Sequence, residues 1–170
     1  MSGAGGTALL LDLSASMAWP AGRSGKTRRE VLEQAVAGLV PRYPDMLVLA
    51  FNDDVGLVTD PQHGLPAASG GTDLAKALNY IKQYDPRNVI VVTDGEPNEP
   101  ASAALTAALR LNCRISAIYC GDESNRQAVA FLSDLARCSR AGTVGVSKTV
   151  SLAKPKDFAE EVLKLAGPQS

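Results

Sequence analysis

LLLDLSASM, residues 9–17, runs three leucines into an aspartate and then sets two serines at alternate positions. An unbroken apolar run of this kind reads as a strand buried on both faces, the sort found in parallel sheets covered by helices. In extended backbone, residues two apart point the same way, so Asp12 and Ser14 share a side while Leu13 turns into the core. Ser16 comes near as the chain turns. The strand expected over Thr7 to Leu13 therefore ends by presenting one carboxylate and two hydroxyls.

Outward from this stretch, apolar runs and helical stripes alternate. Residues 27–40 carry Val31, Leu32, Ala35, Val36, Leu39 and Val40 at helical spacing. Thr27 and Glu30 are placed as a capping box, and Pro41 as the stop. MLVLAF at 46–51 is the next strand, and Asn52-Asp53 turns it into a hairpin with Asp54 to Thr59. TDLAKALNYIKQ, starting at Thr72, is a helix with Leu74, Ala77, Leu78 and Ile81 on one face; NVIVVT at 88–93 is a buried strand ending at Asp94. Helices over Pro100 to Leu111, Ser124 to Arg137 and Pro155 to Leu165 alternate with strands over Arg114 to Cys120 and Thr143 to Val146. The expected fold is α/β: a doubly wound, mostly parallel six-stranded sheet with one antiparallel edge strand and helices on both faces. Residues 1–6 read as a short flexible leader, 7–167 as one domain and 168–170 as a tail.

The 170 residues suffice for one core without disulfides, and 45% hydrophobic with 21% charged residues is an ordinary soluble balance. Seventeen basic and eighteen acidic residues leave a formal charge of -1. That lacks the basic excess with which nucleic-acid-binding domains replace counterions on phosphates, so no nucleic-acid partner is expected. Arg23, Lys26, Arg28 and Arg29 read as the solvated start of a helix. Cys113, Cys120 and Cys138 show no CxxC spacing and read as free thiols, the first two buried beside an apolar strand. Without a basic-apolar leader or a run of roughly 18 apolar residues, neither export nor membrane insertion is expected. A reducing cytoplasm fits best.

Ligands of doubly wound sheets bind outside the carboxyl ends of the strands, at the switch point. Asp12 ends the first strand and Asp94 the fourth, and these two strands are expected to be neighbours there. Two facing carboxylates repel unless a cation or proton intervenes. SGGTDL at 69–74 brings a third element, with Thr72 as helix N-cap and Gly70 and Gly71 allowing close backbone approach. The helix N-terminus favours an anion beside the cation. Hydroxyl and carboxylate oxygens without imidazole or thiolate form a hard donor set, suited to Mg2+ at about 2.0–2.1 Å or to Mn2+. Asp73 reads as support for the helix end, and Glu96 and Asn98 as a polar loop before the next helix.

DLSAS at 12–16 resembles the DxSxS signature of von Willebrand factor type A domains. Thr72 in GGTDL resembles that family's separate metal-site threonine, and Asp94 in VVTDGEP its late aspartate. The resemblance spans essentially the whole chain. It implies a metal-ion-dependent adhesion site formed by Asp12, Ser14, Ser16, Thr72 and Asp94. By that likeness the serines hold the ion directly and the aspartates directly or through water. Thr72 joins when ligand binds, and a partner protein's carboxylate fills the open position. The likeness further implies a non-enzymatic protein–protein interaction module, an intracellular adaptor or subunit of a multiprotein assembly, in some relatives one with an AAA+ ATPase. A C-terminal helix that shifts on ligand binding is also part of the family picture.

Other readings fit less well. GRSGKT at 22–27 lacks the first glycine of a phosphate-binding loop, because Pro20 stands at that position. A magnesium-dependent phosphatase of the haloacid dehalogenase kind is the alternative function. It requires a second acid two residues after the first, where this chain has Ser14. A Ser-His-Asp arrangement would have to use His63, the only histidine, in a turn-rich loop away from the strand ends.

Overall fold

The computed structural model describes residues 6–22, 25–95, 100–121, 124–140, 142–150 and 155–166. Among them, β1 (Thr7–Asp12), β2 (Leu47–Phe51), β3 (Val55–Leu57), β4 (Asn88–Thr93), β5 (Arg114–Tyr119) and β6 (Ser147–Thr149) form one sheet in the order β3-β2-β1-β4-β5-β6. Every neighbouring pair is parallel except the β2–β3 hairpin. The helices are α1 (Arg28–Leu39), α2 (Leu74–Ile81), α3 (Ala101–Leu109), α4 (Arg126–Arg137) and α5 (Pro155–Ala166). The doubly wound α/β architecture with one antiparallel edge is therefore the one the sequence predicts.

The unbroken apolar character of β1 and β4 follows from burial on both faces. Leu9, Leu11, Ile90 and Val92 pack against Leu32 and Val36 of α1 and Phe158 and Val162 of α5. Their neighbours Ala8, Leu10, Val89 and Val91 point the other way, onto Leu78 of α2, Ala108 of α3 and Leu132 of α4. The two-residue period of a strand thus feeds two cores at once. No helix among the described residues is long and apolar enough to cross a membrane.

Local signals set the helix starts. Thr27 Oγ1 accepts the Glu30 N–H at 3.1 Å and Glu30 Oε1 accepts the Thr27 N–H at 2.9 Å, completing the expected capping box. At α2 the cap is Asp73, not Thr72: Asp73 Oδ1 accepts the Lys76 N–H at 3.0 Å. The Asp73 N–H is held by the Asn52 carbonyl at 2.7 Å, which keeps the chain out of the helix one residue longer.

The last strand also differs from expectation. It is Ser147–Thr149, paired with β5, and not Thr143 to Val146. Thr143 is held in a turn at the end of α4, where its N–H and Oγ1 both donate to the Arg140 carbonyl, at 3.0 and 2.6 Å. Those local bonds override the β-propensity of a β-branched residue.

All three cysteines are free; Cys113 and Cys120 are buried and Cys138 half-buried. Burial pushes the Cys113 thiol up to about 11. Burial, followed by the charges of Asp94 and Asp12, raises Cys120 well above the ordinary thiol value. A thiol reagent at neutral pH is expected to modify Cys138 first, and to reach Cys113 and Cys120 only on unfolding. Stopped-flow labelling followed by peptide mapping checks this order.

Candidate metal centre

β1 and β4 lie side by side, with Leu11 opposite Val92, so Asp12 and Thr93 leave the sheet at the same level. Their carboxyl ends mark the switch point, because β2 follows on one side of β1 and β4 on the other. Asp12 has no exposed surface. Its Oδ1 accepts the Ser14 N–H at 2.8 Å and its Oδ2 accepts the Thr93 hydroxyl at 2.6 Å. Burial raises the Asp12 carboxyl above the ordinary aspartate range; the Thr93 hydrogen bond opposes this, the Asp94 charge adds to it, and the Ser14 bonds oppose it again.

Ser14 has extended backbone and precedes a short 3-10 helix, Ala15–Ala18, which carries Ser16 back over the strand end. Ser14 Oγ and Ser16 Oγ stand 3.2 Å apart, and the Ser16 hydroxyl donates to Asp94 Oδ1 at 2.8 Å. Leu13 points into the core, only 1% exposed. The alternation read from DLSAS holds: polar oxygens gather on one side of the turn and the leucine anchors the other.

The loop bearing Thr72 is stitched to this turn through its backbone. Ser69 N–H donates to the Leu13 carbonyl and Ala15 N–H to the Gly70 carbonyl, each at 2.9 Å. Gly70 has φ +73°, and a Cβ there would stand 2.8 Å from Asp53 Oδ2, the oxygen that accepts the Gly71 N–H at 3.1 Å. Glycine is required both for the left-handed turn and for that approach. Thr72 itself is 9% exposed. The structure thus joins Asp12, Ser14, Ser16 and Asp94 in one side-chain network and brings the Thr72 segment against it by main-chain bonds. Glu96 and Asn98 lie outside the described residues.

Two residues at this site were not singled out by the sequence. Thr93 locks Asp12 Oδ2. Arg28, the first residue of α1, donates from Nη1 to Asp94 Oδ2 at 2.7 Å, with the Asp94 side chain 2% exposed. Arg28 is therefore not part of a solvated helix start. A cation on the first helical turn opposes the helix dipole, and that unfavourable placement was the available signal that it has another partner.

The donor set fits a small hard cation. Oxygens at neighbouring corners of an octahedron with metal–oxygen bonds of about 2.0–2.1 Å are about 2.9 Å apart. The Ser14–Ser16 and Ser16–Asp94 oxygens are 3.2 and 2.8 Å apart. Among the described residues no group of three His, Cys, Asp or Glu converges, so a mixed hydroxyl–carboxylate set is what these strand ends offer. His63 is remote in character as well as in sequence, mostly exposed and bonded to Asp60 at 2.7 Å. A cleft of about 280 Å3 lies elsewhere, between the hairpin and the loop of Pro66 and Ala67, lined by Leu13, Phe51, Asn52 and Val55.

No protein-family model and no curated protein matches the chain. Solved structures do resemble it. An aerotolerance-related membrane protein from Bacteroides fragilis NCTC 9343, carrying multiple mutations to serines, aligns over 94% of this chain and 97% of that one, with TM-score 0.67 and 17% identity. BatB from Bacteroides thetaiotaomicron aligns over 94% and 98%, with TM-score 0.64 and 20% identity. The Ro (RSR) protein of Deinococcus radiodurans aligns over 94% of this chain and 34% of its own length, with TM-score 0.56 and 16% identity. Likeness at such identity speaks for the fold, and it supports a von Willebrand factor type A-like, Rossmann-like α/β fold.

Proposed function

We propose that the chain is a non-enzymatic protein–protein interaction module that receives an acidic side chain of a partner through a divalent cation, Mg2+ or Mn2+. Asp12, Ser14, Ser16, Thr72 and Asp94 would hold the cation. It would supply a Lewis-acidic contact point for one partner carboxylate. The observation that carries this reading is the network of Asp12, Ser14, Ser16 and Asp94 at the switch point, with the Thr72 loop bonded to its rim.

The protein's own residues divide the work. Thr93 and the Ser14 N–H orient the Asp12 carboxylate; the 3-10 turn places the two hydroxyls; Leu13 pins the turn to the core. A hydroxyl at position 14 leaves no carboxylate for acid-base work two residues after Asp12, which favours binding over phosphate hydrolysis. An adaptor or subunit of a multiprotein assembly, one that includes an AAA+ ATPase, is the setting we favour. Three free thiols suit the cytoplasm.

Calorimetric titration of the metal-stripped protein with Mg2+ and Mn2+ tests the reading. One binding event is expected in the wild type, weakened in Thr72→Ala and lost in Asp12→Ala. Absent heat in the wild type, or isotherms of both variants unchanged from the wild type's, rules the site out. Partners captured by the loaded protein are expected to elute with a chelator.

A further inference from the structure

We infer that Arg28 sets the cation affinity of this cluster, acting as a built-in positive charge on Asp94 that Trp19 holds in place. The inference rests on the metal-binding reading above and deepens it. Arg28 Nη1 bonds Asp94 Oδ2 at 2.7 Å, while Ser16 bonds the other oxygen, Oδ1, at 2.8 Å. The guanidinium therefore neutralises the carboxylate from one side while the hydroxyl face stays on the other. Its carbon lies 5.7 Å from the centroid of the Trp19 ring, within cation–π range. The Arg28 N–H also donates to the Trp19 carbonyl at 2.9 Å, so backbone and side chain both tie the two residues together. Trp19 is 60% exposed, so its ring stands at the surface beside the guanidinium.

The charge balance shows what Arg28 does. Two carboxylates and one guanidinium leave the cluster with a single net negative charge. A divalent ion turns that into a single positive charge, which one partner carboxylate neutralises. Without Arg28 the loaded cluster would be neutral and would hold its cation more tightly, yet attract a carboxylate less. Arg28 thus exchanges cation affinity for affinity toward the partner.

Titration of metal-stripped wild type, Arg28→Gln and Trp19→Leu with Mg2+ tests this. Arg28→Gln is expected to tighten Mg2+ binding by about tenfold or more, or about 1.4 kcal/mol. Trp19→Leu leaves both charges in place and loosens only the platform, so a gain of about two- to fivefold is expected. Trp19 is the one tryptophan of the chain, so its fluorescence reports on the guanidinium. Mg2+ is expected to change the emission of wild type and not that of Arg28→Gln. Equal or weaker Mg2+ binding by Arg28→Gln overturns the role of Arg28 and leaves the cation site standing. No heat from either protein with Mg2+ or Mn2+ removes the cation site and this inference with it.

Discussion

Asp12→Asn is expected to weaken Mg2+ binding by about 100-fold or more, roughly 2.7 kcal/mol, while raising the melting temperature of the metal-free protein. The two effects share a cause. Asp12 is wholly buried with the Asp94 charge nearby, and its carboxyl is raised above the ordinary range chiefly by that burial. A folded-state value above the unfolded one means that ionising Asp12 costs the folded state. Its contribution is least harmful below the unfolded value, worsens as pH rises toward the folded value, and is fully unfavourable above it. Asparagine has the same shape without the charge. Its carbonyl keeps the Ser14 N–H, and its amide can donate to Thr93 Oγ1, whose proton turns to the Gly95 carbonyl 3.2 Å away. The expected gain is about 1 kcal/mol, or about 2–4 °C for a domain of this size. With Mg2+ at about 100 times its dissociation constant the wild type gains about 2.7 kcal/mol, so the order of stability inverts. Melting curves in chelator and in Mg2+ should cross over between the two proteins. A variant less stable in chelator, or still bound by Mg2+, refutes the argument.

Gly121→Ala is expected to cost about 2 kcal/mol or more by overpacking, roughly 4–8 °C in melting temperature. A Cβ at this position would press on the Asp94 carbonyl oxygen and stand 2.7 Å from the Tyr119 hydroxyl oxygen and 2.8 Å from its Cζ. Tyr119 is 1% exposed and packed in the core, so its ring shifts only by displacing neighbours. The backbone at Gly121 or at Asp94 must therefore shift, and the Asp94 side chain carries bonds to both Ser16 and Arg28. Cation affinity should fall together with stability. Thermal melts and Mg2+ titration of the same variant measure the two effects; a neutral result on both would show that the strand end gives way easily.

The fold was legible because its central strands solve a simple problem. β1 and β4 face helices on both sides, so their inner positions, Ala8 to Leu11 and Val89 to Val92, are all apolar and stand out from the amphipathic helices between them. The end of β1 was legible for the same reason, since a carboxylate and two hydroxyls interrupt a run that has no other polar groups. β6 was harder. Ser147–Thr149 is a polar, mostly exposed edge that carries no apolar pattern, whereas the stretch before it has strand-like residues but begins with Thr143 held in a turn and meets β5 only at Val146, whose carbonyl accepts the Ala117 N–H. Asp73 and Thr72 are both good capping residues, and the choice between them depended on a bond to Asn52 from another loop. Arg28 was the largest omission. Its partner Asp94 is 66 positions away, so the misplaced charge at the helix start signals that a partner exists but does not say which.

Both margins of the sheet are brief. β3 and β6 have three residues each, and β6 presents Ser-Lys-Thr. So few unclaimed main-chain groups, beside a lysine, make a poor template for annexing a foreign strand. Docking by sheet extension is thereby disfavoured, which agrees with the proposed contact at the loop-bearing crown where the carboxylates and hydroxyls emerge.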